Sequence, residues 1–190
     1  KLIPVEQIEE VVCNYPDTLF VVDEAYYEYS DVSCADLVMK YDNILVTRTF
    51  SKAFGLAGLR LGYVLGSERT LSGLRKIKNG KSVSSVAQVA GVACLSDLNY
   101  LQDCVKQTRE SIEFFISEVS NMDDYFCLDS HSNFVLLEVP DVEKFKRLME
   151  SNKVIIRDRS YLTNLDRCVR INFGPLEYTK RIVEIMKGKL

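Results

Sequence analysis

Residues 43–60 read NILVTRTFSKAFGLAGLR, and this stretch decides how the rest of the chain is interpreted. Its first part, residues 43–47, is mostly apolar, which is typical of a strand inside a parallel sheet. The second part places a hydroxyl, an amine and a guanidinium on Ser51, Lys52 and Arg60 around glycines that let the backbone approach a ligand closely. The stretch therefore predicts a strand that ends in a polar, ligand-binding loop.

A second strand of the same kind precedes this one. Residues 18–22 are apolar without alternation, which predicts a strand covered on both faces, and the polar run 23–30 begins where it ends. A helix near residues 34–41 joins the two strands, so the pattern predicts a βαβ unit. Because ligands of open parallel sheets bind beyond the carboxyl ends of the strands, we expect the loops of Asp23 and Lys52 to converge.

The remaining pattern predicts an α/β chain of two domains, residues 1–96 and 97–190, with the second beginning near a long amphipathic helix. The other elements predicted are helices after Pro4, at 67–78, 83–96, 101–119 and 142–151 and after Pro175, and strands at 59–66, 134–139, 154–158 and 168–173.

Composition excludes several classes of function. The chain has 190 residues, of which 47% are hydrophobic, so it can bury a core. Charged residues make up 27% and leave a net charge of -3, which provides no broad basic face for a nucleic acid. The longest apolar runs, 18–22 and 134–139, are too short to cross a bilayer, and Lys1 does not begin a signal peptide. We interpret the protein as cytoplasmic, with no membrane partner.

Cysteine and histidine patterns do not predict a metal site. The six cysteines form no Cys-x-x-Cys pair, and only one histidine is present. Cys94 and Cys104 lie in apolar periodic stretches and are interpreted as reduced core residues. His131 follows Asp129 and Ser130 in a predicted turn, where a polar surface role is expected.

The side chains at the two strand ends match the needs of pyridoxal-phosphate (PLP) chemistry. PLP requires a lysine amine for an imine, an acid that keeps its pyridine nitrogen protonated, and an anchor for its phosphate. Lys52 supplies the amine and Asp23 the acid, while the anchor is assigned to hydroxyls and a guanidinium on Thr49, Ser51 and Arg60.

Tyr26 lies one short turn after Asp23. Its hydroxyl can hydrogen-bond the phenolic oxygen of PLP. The alternative makes Tyr26 one of three aromatic side chains at the solvent edge, together with Tyr27 and Tyr29. The sequence leaves both interpretations open.

Two stretches, residues 22–26 (VDEAY) and 47–63 (TRTFSKAFGLAGLRLGY), resemble the fold-type I PLP aminotransferases and specifically the histidinol-phosphate aminotransferase family. The resemblance implies that Asp23 pairs with the pyridine nitrogen, Tyr26 contacts the phenolic oxygen and Lys52 acts as Schiff base and proton shuttle. It also implies that the cofactor phosphate is bound by Thr49, Ser51 and Arg60.

The resemblance extends to the carboxyl terminus. Residues 154–158 (VIIRD) and 168–174 (CVRINFG) look like the two arginine strands of the family. Arg170 matches the arginine that receives a substrate carboxylate or its equivalent, and Arg157 is implied to help with a substrate phosphate or nearby charge. Since Arg170 lies in an apolar strand, the alternative is a structural carboxylate beside it.

By this resemblance, residues 1–96 are the carboxyl-side part of a large PLP domain with a mostly parallel sheet, and residues 97–190 are the small domain. The expected partners are a small-molecule amino donor and a 2-oxo acid, with histidinol phosphate and 2-oxoglutarate leading, and a homodimer is expected at full length. Alternatives are aromatic or other amino-acid transamination, a more distant threonine-phosphate decarboxylase, or a module that is not catalytically competent by itself.

Two features depart from the family pattern. Family members are nearly twice as long, and Lys1 to Pro4 looks like the point just after their Asn-Pro-x-x-Pro-Thr-Gly loop, so we expect an amino-terminal half outside this chain. Residues 78–84 (KNGKSVS) stand where the histidinol-phosphate enzymes usually show a Pro-Tyr-Asn-Val segment.

Overall fold

The computed structural model describes residues 2–188, which divide into two compact units, Leu2–Leu101 and the residues from Gln102 onward. Each unit combines helices with a β-sheet, so the α/β prediction is confirmed. The interpretation of the units as the predicted larger and smaller domains stays a prediction.

The first unit is built on a three-stranded sheet in the order β1-β2-β3, with β1 at Phe20–Asp23, β2 at Ile44–Thr49 and β3 at Gly62–Gly66. Strands β1 and β2 are parallel, as the sequence predicts, and Asp23 lies opposite Thr47. Strand β3 runs antiparallel to β2, so the described sheet is mixed. The carboxyl ends of β1 and β2 therefore lie side by side at one edge.

Two of the helices of the first unit begin at serine side chains that cap them. The Ser67 hydroxyl accepts the backbone N–H of Thr70, and the Ser84 hydroxyl accepts that of Ala87. The helices are α1 (Val5–Asn14), α2 (Tyr27–Ser30), α3 (Glu68–Ile77) and α4 (Ser85–Leu95), and 3-10 turns lie at Ala35–Met39 and Ala57–Leu59. The core under the sheet consists of Val12, Cys34, Leu37, Val38, Ile44 and Val46.

The prediction that residues 18–22 are covered on both faces is wrong for the described chain. Val21 is 60% exposed and the preceding Leu19 is 51% exposed, whereas Phe20 and Val22 pack against the core. Strand β1 is an edge strand with β2 as its neighbour, and α1 and the 3-10 turn at Ala35–Met39 supply core residues that pack on one face only. An apolar run indicates a buried strand, but burial depends on what packs against each face.

The second unit contains an antiparallel sheet in the order β4-β5-β7-β6. Its elements are α5 (Leu98–Val119, which begins before the division), β4 (Phe126–Cys127), β5 (Phe134–Glu138), α6 (Val142–Ser151), β6 (Arg157–Asp158), β7 (Cys168–Asn172) and α7 (Leu176–Met186). The strand predicted at residues 154–158 is confirmed only at Arg157–Asp158, since Ile155 is 90% exposed and lies outside the ladder.

Alternation along β5 and β7 separates two faces of this sheet. Val135, Leu137, Val169 and Ile171 are fully or almost fully buried and pack with Phe115 of α5. The intervening residues, among them Phe134 and Arg170, lie on the opposite, less buried face. The sheet thus presents Arg170 away from the core of its own unit.

We expect Phe115→Ala to destabilise the second unit by about 3–5 kcal/mol, because it leaves a cavity in a packed core. Phe115 is fully buried, and its ring centroid lies 5.0 Å from that of Phe173. Denaturant unfolding of the full-length protein measures the change. Phe126→Ala is the matched control, because Phe126 is 61% exposed, and equal destabilisation by both substitutions would contradict this core.

The six cysteines are free thiols. Cys34 and Cys168 are buried, Cys94 and Cys104 are partly buried, and burial raises the pKa of Cys127 to about 12. Within residues 2–188, no cluster of three His, Cys, Asp or Glu side chains is arranged to hold a metal ion. Over the same residues, each helix is too short or too polar to span a bilayer.

Candidate functional site

The loops that follow β1 and β2 meet at the carboxyl edge of the sheet. The Lys52 ammonium lies 5.3 Å from the centroid of the Tyr26 ring. Lys52 is exposed and Tyr26 is partly buried, so the amine is accessible next to an ordered aromatic group. The predicted convergence of the two loops is confirmed.

Asp23 is the last residue of β1 and is exposed. Its Oδ1 accepts the backbone N–H of Ala25 at 3.0 Å, which turns the chain toward Tyr26. Asp23 thus ends a strand that is open on one face, and not the doubly covered strand predicted from residues 18–22. Asp23 and Val21 are two residues apart, so their side chains share the open face of β1. Its carboxylate is accessible at the same edge as Lys52.

The Thr49 hydroxyl and a backbone turn at Gly55 shape the Lys52 loop through hydrogen bonds. The Thr49 hydroxyl accepts the N–H of Ser51 at 3.0 Å and donates to the carbonyl of Leu61 at 3.4 Å. Gly55 has a φ of +71°, which glycine adopts without strain, and donates its N–H to the carbonyl of Lys52 at 3.0 Å. Thr49 thus shapes the loop directly, while its contact with a phosphate stays a prediction.

Arg60 has an unusual backbone conformation. Its φ is +53°, in the left-handed region, and its guanidinium donates to the carbonyl of Ala57 at 2.9 Å. A left-handed conformation costs a non-glycine residue on the order of 1–3 kcal/mol, and such strain concentrates at functional sites. The strained backbone leaves the Arg60 side chain exposed beside the loop of Ser51 and Lys52.

A nearly buried ion pair lies at the same sheet edge, and sequence reasoning missed it. The Arg48 Nε donates to Glu24 Oε2 at 2.9 Å, and the two side chains are 12% and 6% exposed. The Glu24 carboxylate also accepts the Ser33 hydroxyl at 3.0 Å and the Cys34 N–H at 2.6 Å. The sequence contained one signal for it, the adjacent acids Asp23 and Glu24 at the end of a strand. Successive strand residues point to opposite faces, so one of the two carboxylates is directed toward the buried face and needs a partner there.

The three tyrosines after Asp23 have different environments, so the interpretation as a solvent-edge trio is wrong. Tyr29 is buried, and the Tyr27 ring lies under the Arg48 guanidinium, 3.5 Å from centroid to Cζ. Tyr26 instead faces Lys52. The short helix α2, which the sequence did not predict, turns these side chains in different directions.

Two arginines lie side by side on the second unit's sheet. Arg157 of β6 is the register partner of Arg170 of β7, and the Arg170 guanidinium carbon lies 4.9 Å from the centroid of the Phe134 ring. The Nε of Arg170 is buried without a hydrogen-bond partner among residues 2–188, and Arg170 forms no ion pair with a carboxylate of that span. The predicted alternative, a structural carboxylate beside Arg170, is therefore absent from the described residues.

His131 lies in the turn before β5, as expected. Its Nε2 is 3.6 Å from Asp129 Oδ2, and its side chain is 43% exposed. Nothing in this geometry assigns it a catalytic role.

The chain matches the family described as aminotransferase class I and II over residues 1–186. It is 33% identical over 183 residues to a dihydroxyacetone phosphate transaminase of Campylobacter jejuni, covering 95% of this chain and 49% of that protein. It is 40% identical over 179 residues to a histidinol-phosphate aminotransferase of Syntrophotalea carbinolica, covering 92% of this chain and 50% of that protein. The chain spans about half the length of these curated relatives.

The fold is also that of solved enzymes of this kind. The structure of histidinol-phosphate aminotransferase from Sinorhizobium meliloti in complex with pyridoxal-5'-phosphate superposes with a TM-score of 0.82 at 27% identity, covering 100% of this chain and 55% of that one. The prediction of part of the fold-type I architecture is confirmed.

Proposed function

This chain belongs to the class I and II aminotransferase family, and we propose that its protein binds PLP through Lys52 and transfers an amino group between a small donor and a 2-oxo acid. The observation that carries the proposal is the approach of Lys52 to within 5.3 Å of the Tyr26 ring at the sheet edge where Asp23 also lies. Because Lys52 is accessible at that edge, we favour its interpretation as the cofactor-binding lysine of the family over its interpretation as a surface lysine without function.

The donor set at this edge fits PLP in charge and chemistry. A primary amine, a carboxylate and a phenol lie on Lys52, Asp23 and Tyr26, and hydroxyl and guanidinium donors on Ser51 and Arg60 suit a phosphate. When bound, PLP supplies an electron sink for the bond that breaks at the donor's α-carbon.

The chain's own residues then have separate tasks. The Lys52 amine would hold PLP, and as a general base and acid it would move the α-proton of the donor. The Asp23 carboxylate would balance a positive charge on the ring nitrogen of PLP, and the Tyr26 hydroxyl would donate a hydrogen bond to its phenolic oxygen.

The arginine pair supports an anionic substrate. Like charges directly opposite each other in a sheet are destabilising, so Arg157 and Arg170 favour an anion between or beside them. We assign the α-carboxylate of the amino-acid partner to Arg170 and a phosphate or nearby charge to Arg157. Histidinol phosphate with 2-oxoglutarate remains our leading substrate pair.

A second substrate class deserves testing because the relative from Campylobacter jejuni is named a dihydroxyacetone phosphate transaminase. Dihydroxyacetone phosphate and histidinol phosphate share a phosphate monoester, and both fit a pair of arginines. The full-length protein is assayed with histidinol phosphate, aromatic amino acids and other amino acids as amino donors. Dihydroxyacetone phosphate and 2-oxoglutarate are compared as amino acceptors, and the two sets of rates distinguish these substrates. A homodimer in the cytoplasm is part of the same proposal.

Labelling Lys52 tests the proposal directly. Full-length protein incubated with PLP should show the absorbance of an enzyme-bound imine, and borohydride reduction should attach the cofactor covalently to Lys52, as read by peptide mass spectrometry. Label on Lys76, an exposed lysine of the same unit, is the internal control. No specific absorbance, or label spread equally over both lysines, would leave a non-catalytic module as the better interpretation.

We expect Asp23→Asn to lower turnover about 10²-fold while PLP affinity changes much less, because a preorganised charge is lost and the phosphate contacts remain. Steady-state kinetics and PLP titration measure the two effects separately. Asp17→Asn, at an exposed aspartate in a turn, is the matched control. Equal losses in turnover and affinity, or no loss in turnover, would argue against pairing of Asp23 with the ring nitrogen.

A further inference from the structure

The Glu24–Arg48 ion pair connects the two loops that carry the proposed chemistry. Glu24 directly follows Asp23, and Arg48 directly precedes Thr49, whose hydroxyl accepts the N–H of Ser51. The backbone N–H of Glu24 also donates to the carbonyl of Thr47 at 2.9 Å. A main-chain bond and a side-chain ion pair therefore join the strand ends at neighbouring residues.

The pair is desolvated but well supplied with partners. Both Glu24 oxygens accept hydrogen bonds, one from Cys34 and the other from Ser33 and Arg48. The Arg48 guanidinium also donates through a terminal nitrogen to the Ser33 hydroxyl at 2.7 Å. The arginine is thus held through two separate nitrogens, an arrangement that its planar fork permits and that a lysine ammonium cannot reproduce.

Two further side chains, those of Tyr27 and Glu28, lie in the surroundings of Arg48. Its guanidinium stacks over the Tyr27 ring, which follows Tyr26 in the chain. Burial raises the pKa of Glu28, whereas the charge of Arg48 lowers it, and Glu28 Oε2 is buried with no hydrogen-bond partner among residues 2–188. Arg48 is therefore paired with Glu24, and its positive charge also acts on the neighbouring Glu28 carboxyl.

The hydrogen bonds of the Glu24–Arg48 pair fix its geometry more than they add to the free energy of unfolding. A buried ion pair often adds little net stability compared with apolar side chains of similar volume, but it specifies one geometry. Here the specified geometry is the spacing between the Asp23–Tyr26 segment and the Lys52 loop, since each partner is one to four residues from them.

We propose that Glu24 and Arg48 are positioning residues that set the separation and orientation of Asp23, Tyr26 and Lys52 without touching cofactor or substrate; the catalytic consequence rests on the proposed function. Two further contacts hold the Arg48 guanidinium in place: it stacks on the Tyr27 ring and donates a hydrogen bond to the Ser33 hydroxyl. Displacement of reacting groups by about 1 Å can lower a rate about 10²-fold, so a loosened pair should act on turnover more than on binding.

The test compares Arg48→Lys and Arg48→Met with Arg75→Lys in the full-length protein. Arg75 pairs with Glu68 at 2.6 Å in the same unit, but the two side chains are 61% and 77% exposed, so it is a matched control for removing an arginine from an ion pair. Glu24→Gln, which keeps the shape and removes the charge, tests the other partner.

Hydrogen exchange on cofactor-free protein gives a readout independent of activity. We expect the amides of Glu24 and Ser51, which bond to Thr47 and Thr49, to exchange about ten-fold faster or more in Arg48→Lys than in wild type or Arg75→Lys. Amides of the second unit serve as the reference for global unfolding. Faster exchange throughout the first unit, in proportion to lost stability, would reduce the pair to an ordinary structural contact and overturn the proposal.

Kinetics and the absorbance spectrum of bound PLP give the second readout. We expect kcat to fall about 10- to 100-fold in Arg48→Lys, with KM for the donor within about two-fold, a changed spectrum, and a larger loss in Arg48→Met. Kinetics and a spectrum equal to those of Arg75→Lys would overturn the proposal while leaving the proposed function intact. Failure of the wild-type protein to bind PLP through Lys52 would reject the proposed function instead, and the exchange experiment would still report on the ion pair.

Discussion

Lys52→Ala in the full-length protein is expected to abolish transamination while the fold remains. General acid–base help by a side chain is worth about 10²- to 10⁴-fold, and loss of the covalent exchange of the cofactor adds to that loss. Lys52 is exposed and its amine lies over the Tyr26 ring, so removing the side chain takes no packing from the core. Single-turnover kinetics with a matched donor and 2-oxo acid measure the loss.

The control for this substitution is Lys76→Ala. Lys76 is exposed in the last turn of α3, and its removal should leave turnover within about two-fold of wild type. Circular dichroism and unfolding midpoints should coincide for the two variants. Turnover of Lys52→Ala near the wild-type rate, with correct folding, would remove Lys52 from the mechanism.

Arg170→Ala is expected to lower kcat/KM for each substrate by the equivalent of about 2–5 kcal/mol, the cost of removing a charged contact from a confined site. The side chain lies over Phe134, with a buried Nε that has no hydrogen-bond partner in the span 2–188. An anion bound by this guanidinium is what we propose for Arg170, because charge-assisted hydrogen bonds to an arginine are strong. Arg170→Lys should restore only part of the loss, because an ammonium cannot form the two parallel bonds of the fork.

Stopped-flow measurement of the glutamate half-reaction provides the decisive comparison. Arg147→Ala is the matched control, since Arg147 is exposed on α6 in the same unit. Unchanged kcat/KM in Arg170→Ala for glutamate and for phosphorylated donors alike, with normal PLP binding, would make Arg170 a structural residue. A loss confined to phosphorylated donors would move the phosphate contact, assigned to Arg157, onto Arg170.

Local sequence patterns predicted most of the elements and the position of the reactive loop. The helix that begins at Ser67, the stripe along α5 and the parallel pair β1 and β2 all depend on residues close in the chain or on the regular repeats of helix and strand. Because the ends of parallel strands share one edge, the approach of Lys52 to the loop after Asp23 also followed from the pattern.

Tertiary structure alone decided the environment of each side chain. The exposure of Asp23 and Val21 depends on which elements cover β1, and an apolar run cannot report that. Arg157 and Arg170 lie opposite each other because of the register between β6 and β7. A shift of that register by one residue would place the two side chains on different faces of the sheet. Arg48 lies on β2 and Glu24 directly follows β1, so their pairing arises only when the two strands and the segment that contains Ser33 come together. The sequence by itself determined which chemical groups are present and in what local order, whereas packing and register determined which of them meet.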